Sequence, residues 1–385
     1  MTYKFLANFS LVLIIIYLIS LSFRLLTGSG LLDRWGSPVG GDFVCYWLAS
    51  KLAATGEAAA LYNSPRLGAA ATAFFGVPLS YPWPYPPTFL LLILPLSQLP
   101  YLVSLAAWLL PALGGYLWLV HRFAPSPLTV WLTLAFGGTF QNLAHGQNGF
   151  LSAVLLGAGL LLVDSSPVAG GLVLGLLTYK PHLAVLIFVA LMAGRRWRAW
   201  LAAVAAALSL ALASALVLGL EVWPAFIKSI PLTMKQLASG ILPLENLVTA
   251  AGAVMLLGGS LSLALALQGV VMLGAAWAVV RVWSRGASLA MRGSVLGLGT
   301  LLFSPHVFVY DLTLLALPLA WLSWEGFRKG WLAKEQFLLT GCWALPLVAP
   351  VLAKLTRVQL APAALALLLL LALKREKNPG PKAES

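Results

Sequence analysis

Charge is what this sequence has least of. Of its 385 residues only 9% are Asp, Glu, Lys or Arg, against about 25% in an ordinary soluble domain. Eleven residues are acidic, four are histidine and two are cysteine. Cys45 and Cys342 lie too far apart in sequence for a metal or redox motif, and no disulfide framework can be argued from two cysteines. No His-x-x-x-His, Asp-x-Asp or carboxylate cluster occurs, so no metal cofactor is expected. The paired glycines Gly137-Gly138, Gly170-Gly171 and Gly258-Gly259 have the spacing of close helix packing and not of a phosphate loop, which leaves ATP coupling unsupported. Apolar and aromatic residues make up 61%. Together these values exclude a water-soluble enzyme, a disordered chain and a coiled coil, and they leave an all-α polytopic membrane protein. The net charge of +13 then reports orientation in a bilayer and not a nucleic-acid partner.

Residues 5–26 form an apolar run longer than the core of a signal peptide and are followed by a poor cleavage site, so a retained first span is expected. Further spans are expected at 100–121, 127–143, 148–163, 168–179, 181–193, 197–219, 262–284, 287–303, 311–324, 331–352 and 359–373, about twelve in all. Several fall short of the ~20 residues a bilayer requires, and short helices with broken backbone are tolerated only against protein or a water-filled cavity. Two further apolar stretches, Pro87–Leu96 and Asn246–Gly258, are read as re-entrant or interfacial. The organisation expected is one integral membrane domain over 1–373, a long first outer loop over 27–86 carrying amphipathic helices, and a short basic tail over 374–385.

With the N-terminus inside and twelve spans, fifteen of the 24 basic residues fall on the inner side and eight outside, with Arg24 left within the first span. The runs Arg195-Arg-Trp-Arg198, Arg328-Lys329 and Lys374-Arg375 all agree with cytoplasmic termini. The outer side is then the polar one. It carries Gly40-Gly-Asp-Phe43, Tyr81-Pro-Trp-Pro-Tyr-Pro-Pro87, His145-Gly-Gln-Asn148, Tyr179-Lys-Pro-His182, the loop from Glu221 to Glu245, and the segment Ser304–Asp311.

In order along the chain, Gly41-Asp-Phe with Tyr46, Leu61-Tyr-Asn63, Tyr85-Pro-Pro-x-Phe89, Gly146-Gln-Asn148, Lys180-Pro181 followed by a basic turn, and Ser304-Pro with Tyr310-Asp-Leu312 resemble glycosyltransferase family 87. The resemblance spans roughly 40–325. It implies a membrane fold of the GT-C type and transfer of a hexose or pentose from a polyprenyl-phosphate-linked donor to a hydroxyl of a glycan, glycolipid or other acceptor. It also implies work at the outer face of the cytoplasmic membrane. The lack of Asp-x-Asp points the same way, since it disfavours a cytosolic nucleotide-sugar transferase with a metal–diphosphate site.

Each candidate residue carries two readings. Asp42 either caps the helix that follows it or, as the resemblance implies, is the general base toward the acceptor. Lys180 interrupts an apolar run beside a helix-breaking proline. A lysine there costs about 2.5–3.5 kcal/mol unless it meets a cavity or partner, so it either binds the donor phosphate or sits in a structural ion pair. His182 is a second phosphate ligand or a core histidine. Gln147 and Asn148 bind the donor's phosphate or sugar hydroxyls, or serve the turn and cap a helix. His306 orients the acceptor or donates to the leaving phosphate, or is a satisfied interfacial histidine. Asp311 favours a structural capping role at a helix N-terminus. His145, Tyr85, Tyr46, Tyr310 and Asp311 line the candidate substrate groove. The rival reading is a transporter or flippase, which broken helices and an intramembrane lysine also suit; the lack of an internal repeat and the concentration of polar motifs on one face count against it.

Overall fold

The computed structural model describes residues 3–63, 65–76, 83–238 and 243–377, with no strand among them. Tyr81 and Pro82 of the aromatic–proline segment, and Lys382 of the basic tail, lie outside the described residues. The helices in chain order are α1 (Tyr3–Leu26), α2 (Phe43–Ala54), α3 (Pro65–Phe75), α4 (Pro87–Ile93), α5 (Tyr101–Phe123), α6 (Pro127–Leu134), α7 (Gly137–His145), α8 (Gly149–Leu162) and α9 (Pro167–Leu176). They continue with α10 (Pro181–Ala193), α11 (Trp197–Leu218), α12 (Val222–Ala238), α13 (Ala250–Leu256), α14 (Leu261–Ser284), α15 (Leu289–Phe303), α16 (Ala316–Lys329), α17 (Glu335–Thr356) and α18 (Ala361–Lys377). Proline opens α3, α4, α6, α9 and α10, where its fixed φ suits the first turn and its missing N–H costs nothing.

Every expected span is occupied by helix, but five helices are long and apolar enough to cross a membrane by themselves: Lys4–Leu26, Tyr101–Phe123, Trp197–Leu218, Leu261–Ser284 and Glu335–Thr356. At 1.5 Å per residue the 14 residues of α8 reach about 21 Å, against a hydrocarbon core of about 30 Å. The long helices have between 11% and 33% of their apolar window buried, so most of their surface faces outward. Among the shorter helices, α15 is buried along nearly its whole length, from Met291 to Leu302. This short helix thus lies inside, where its ends find protein partners.

Two expectations need correction. The stretch 127–143 is two helices, because the chain breaks at Ala135-Phe136 and Thr139 Oγ1 donates back to Thr133 O at 2.6 Å across the break. The start of α7 packs too closely for a side chain: a Cβ on Gly137 would stand 2.5 Å from Leu347 Cγ. Helix α2 is not amphipathic but buried on nearly all sides, from Phe43 to Ser50, and α3 alone in that loop shows a one-sided pattern, burying Leu67 and Ala71. The stretches at 87–96 and 246–258 form seven-residue helices, α4 and α13, each about 10 Å long and too short to span.

Polar contacts sort the loops into two ends. At one, Asp164 pairs with Arg292 and Arg196, Glu335 with Arg375, and Arg281 with Glu376. At the other, Asp42 meets Gln147, Lys180 meets Asp311, Gln359 Nε2 donates to Glu245 O at 2.8 Å and Tyr101 Oη donates to Val39 O at 2.6 Å. Each pair joins segments that the span order expected from sequence puts on one face.

Candidate active site

Two glycine-bearing loops bring the site together. Gly40 and Gly41 adopt φ of +83° and +53°, and Gly146, which ends α7, adopts +59°, a conformation glycine reaches without the Cβ penalty. A Cβ on Gly146 would lie 2.5 Å from both Gly40 O and Phe43 Cβ, and one on Gly41 would lie 3.1 Å from His145 Cα. The two backbones therefore touch directly.

This joint sets Asp42 against Gln147. Asp42 immediately precedes α2, yet its side chain makes no capping bond. Its Oδ2 instead accepts from Gln147 Nε2 at 2.8 Å. Gln147 Oε1 accepts from the Tyr46 hydroxyl, which lies 2.8 Å from the Tyr85 hydroxyl. Asn148 precedes α8 and likewise makes no side-chain cap; its Nδ2 donates to Tyr46 Oη and Tyr85 Oη, each at 3.1 Å. Behind them stand Phe89, with its ring centroid 4.9 Å from that of Tyr46, and Trp83 at 6.3 Å.

The second half of the site is built from the loop after α15 and the break before α10. Lys180 Nζ pairs with Asp311 Oδ1, and both side chains are almost fully buried. Asp311 Oδ2 accepts from Phe308 N at 3.0 Å, so the carboxylate both closes the 3₁₀ turn Val309–Leu315 and neutralises the lysine. The expected capping role of Asp311 is present, and so is the ion-pair alternative for Lys180. Lys180 also lies 5.6 Å from the Tyr310 ring centroid, an attractive placement for a cation.

Tyr310 links the two halves. Its ring lies 6.4 Å from His145 and 5.7 Å from Phe308; Phe308 lies 5.0 Å from His306, which lies 6.0 Å from His182. His145 stands beside the Gly41-Asp42 turn, its Cα 3.1 Å from where a Cβ on Gly41 would lie. His182 Nε2 is buried with no partner among the described residues. Burial holds the His306 imidazole below its ordinary range; Asp311 opposes this and the Lys180 ammonium reinforces it. His306 is therefore neutral at pH 7, with one N–H to donate.

All eleven residues singled out in the sequence thus fall in one contiguous site. Sequence reasoning missed three more. Asn142 is buried within α7, where its Oδ1 accepts from Gly149 N at 2.7 Å and its Nδ2 donates to Gln147 O at 3.0 Å, shaping the turn that carries Gln147. Tyr179 and Ser152 share a hydroxyl contact of 2.6 Å beneath Asn148. The available signal was the amide pair Gln141-Asn142 just before His145, inside a stretch expected to span the bilayer.

A carboxylate held by an amide, a cluster of tyrosines and a paired lysine, all at one end of a helical bundle of membrane type, define the class: a membrane-integral protein with a polar site at one end. The family model of glycosyltransferase family 87 matches residues 83–305, more than half of the sequence, and the chain belongs to that family. It is a glycosyltransferase, acting on a sugar donor and an acceptor. The matched region contains Tyr85, His145, Gln147, Asn148, Lys180 and His182, and its last residues reach Ser304-Pro305. Asp42, Tyr46, His306, Tyr310 and Asp311 lie outside it, and the structure joins them to the matched ones. No curated protein and no solved structure matches the chain.

Proposed function

We propose that this protein transfers a sugar from a polyprenyl-phosphate-linked donor to an acceptor hydroxyl at the outer face of the cytoplasmic membrane, with Asp42 as general base. The observation that carries this reading is the Asp42 carboxylate itself: it is turned away from the helix it would cap and held by Gln147, with no cationic partner among the described residues. A carboxylate kept free of a counter-ion beside a buried polar cluster is suited to accept a proton.

In the proposed step the acceptor hydroxyl gives its proton to Asp42 as its oxygen bonds to the anomeric carbon. The bond from that carbon to the phosphate oxygen breaks, and the electron pair leaves with polyprenyl phosphate. Lys180 uses one N–H on Asp311 and keeps two for the phosphate; Asp311 holds it in place. His306 and His182 supply further N–H donors as charge grows on the leaving group. Tyr46, Tyr85, Tyr310 and His145 wall the sugar. The domain organisation that goes with this reading is a single catalytic membrane unit over 1–373 of GT-C type, about twelve helices deep in the bilayer, with both termini cytoplasmic.

Asp42→Asn tests it, because asparagine keeps the size and still accepts from Gln147. Loss of a positioned base lowers turnover by roughly 10²–10⁴-fold, with donor binding retained. Near wild-type transfer from a polyprenyl-phosphate sugar by the purified variant would remove Asp42 from the chemistry.

A further inference from the structure

The hydrogen-bond network around Asp42 has a direction, and the direction can be derived from proton accounting alone. A carboxylate has no proton to give, so the group that Gln147 turns toward Asp42 is its NH2, and Oε1 faces Tyr46. Oε1 needs a donor there and takes the single Tyr46 hydroxyl proton. Tyr46 Oη must then accept from its remaining neighbours, Asn148 Nδ2 at 3.1 Å and Tyr85 Oη at 2.8 Å. Asn148 gives its second hydrogen to Tyr85 Oη, also at 3.1 Å. Every hydroxyl proton is placed. Reversing the Gln147 amide would set its Oε1 against the Asp42 carboxylate, lone pair against lone pair, and leave its NH2 facing the Tyr46 hydroxyl. Gln147 is 4% exposed and Tyr46 and Asn148 1% each, so such a mismatch would stand in a low-dielectric interior where it is costly.

We propose that Gln147 is the positioning residue for Asp42, and that Asn148, Tyr85 and Tyr46 act through it. This rests on Asp42 being the base. It also gives Gln147 a different task from the donor binding expected from sequence. The amide holds Oδ2 and stops the carboxylate from rotating. Oδ1, which accepts no hydrogen bond from the described residues, is thereby presented to the acceptor hydroxyl. Because the relay ends on Gln147 Oε1, the tyrosines decide which way the amide faces without touching Asp42 themselves. The backbone joint of Gly146 with Gly40 fixes the distance over which the amide reaches.

The test uses the purified full-length protein in lipid nanodiscs, with radiolabelled polyprenyl-phosphate mannose or arabinose, whichever the wild type consumes, and a membrane glycolipid extract as acceptor. Donor KM, kcat and the pH profile are measured for Gln147→Leu, Gln147→Glu, Tyr46→Phe and the double variant Tyr46→Phe/Gln147→Leu. Gln147→Leu lowers kcat by roughly 100-fold, the cost of a mis-set catalytic group, and leaves donor KM within a few-fold. Tyr46→Phe lowers kcat by about 10-fold, and the double variant is no worse than Gln147→Leu, since one residue acts through the other. Gln147→Glu sets a second carboxylate against Asp42 and moves the acidic limb of the pH profile to higher pH, which a purely structural role would not do.

A rise in donor KM with kcat kept would make Gln147 a donor ligand and overturn the proposal, as would additive losses or an unmoved acidic limb. If Gln147→Leu does not fold, the limb of the near-isosteric Gln147→Glu decides alone. Turnover by Asp42→Asn would overturn the base and this inference together. An inactive Asp42→Asn beside a wild-type-like Gln147→Leu would overturn only the positioning role.

Discussion

Lys180→Met puts the buried ion pair to a quantitative test. Methionine keeps the apolar stem and removes the ammonium. Asp311, 2% exposed at its side chain, then keeps the Phe308 N–H as its one remaining donor among the described residues. Breaking a buried pair by removing one partner costs about 3–5 kcal/mol. A ceiling also applies. A stranded carboxylate escapes by taking a proton, and drawing one from pH 7 onto an ordinary carboxylate costs about 4 kcal/mol. The expected loss is therefore about 3–4 kcal/mol at pH 7 and at most about 1.5 kcal/mol at pH 5. Lys180→Met/Asp311→Leu removes both charges and leaves only the Phe308 N–H unpaired, for about 1–3 kcal/mol, so it is more stable than the single variant at pH 7. Unfolding in dodecyl maltoside titrated with dodecyl sulfate, at both pH values, reads these differences. In the stable double variant a raised donor KM then isolates the phosphate contact proposed for Lys180. A single variant within about 1 kcal/mol of wild type at pH 7, with the double no better, would refute the burial argument.

Three further outcomes are expected. Gly146→Ala forces a left-handed alanine, costing about 1–2 kcal/mol, and drives its Cβ into Gly40 O; the melting temperature should fall and turnover drop at least about 10-fold, and an alanine variant with both unchanged would show that the joint can open freely. His306 is held neutral in the fold, so the unfolded chain binds a proton first as pH falls below about 6.5, and stability declines from there downward; His306→Gln should flatten the fall in melting temperature between pH 7.5 and 5.5, and a steeper fall would contradict it. In intact cells a membrane-impermeant maleimide should label Thr55→Cys and spare Phe327→Cys, both at exposed positions of opposite expected sidedness; labelling of Phe327→Cys alone would invert the proposed orientation.

The helices were legible because their punctuation is local. Proline at 127, 167 and 181 opens a helix in each case, and Gly146 closes one with its positive φ. Whether a stretch crosses the bilayer was less legible, since that depends on neighbours: α15 is short yet enclosed, while α1 is long and mostly uncovered. The site residues were legible as polar interruptions in apolar surroundings, which are costly and so carry information. Their partners were not. Asp42 and Gln147 stand 105 residues apart, and Lys180 and Asp311 stand 131 apart. No periodicity or spacing rule reaches that far. The choice between capping and a free carboxylate at Asp42 turned on an amide from another loop, and Asn142 escaped notice because its work is done on backbone atoms.

The contact between the Gly40–Gly41 turn and the Gly146 turn has a thermodynamic consequence. A seam made of bare backbone has no rotamers to freeze when a ligand arrives. The carboxylate and the amide that steadies it stand in register across that seam, as the 2.8 Å bond between them records. Substrate binding energy is then not consumed in assembling this corner and remains for distorting and orienting the sugar. Variation in substrate among proteins sharing this seam would accordingly be carried by the aromatic wall and the loop around His306, leaving positions 40, 41 and 146 with no latitude for a side chain.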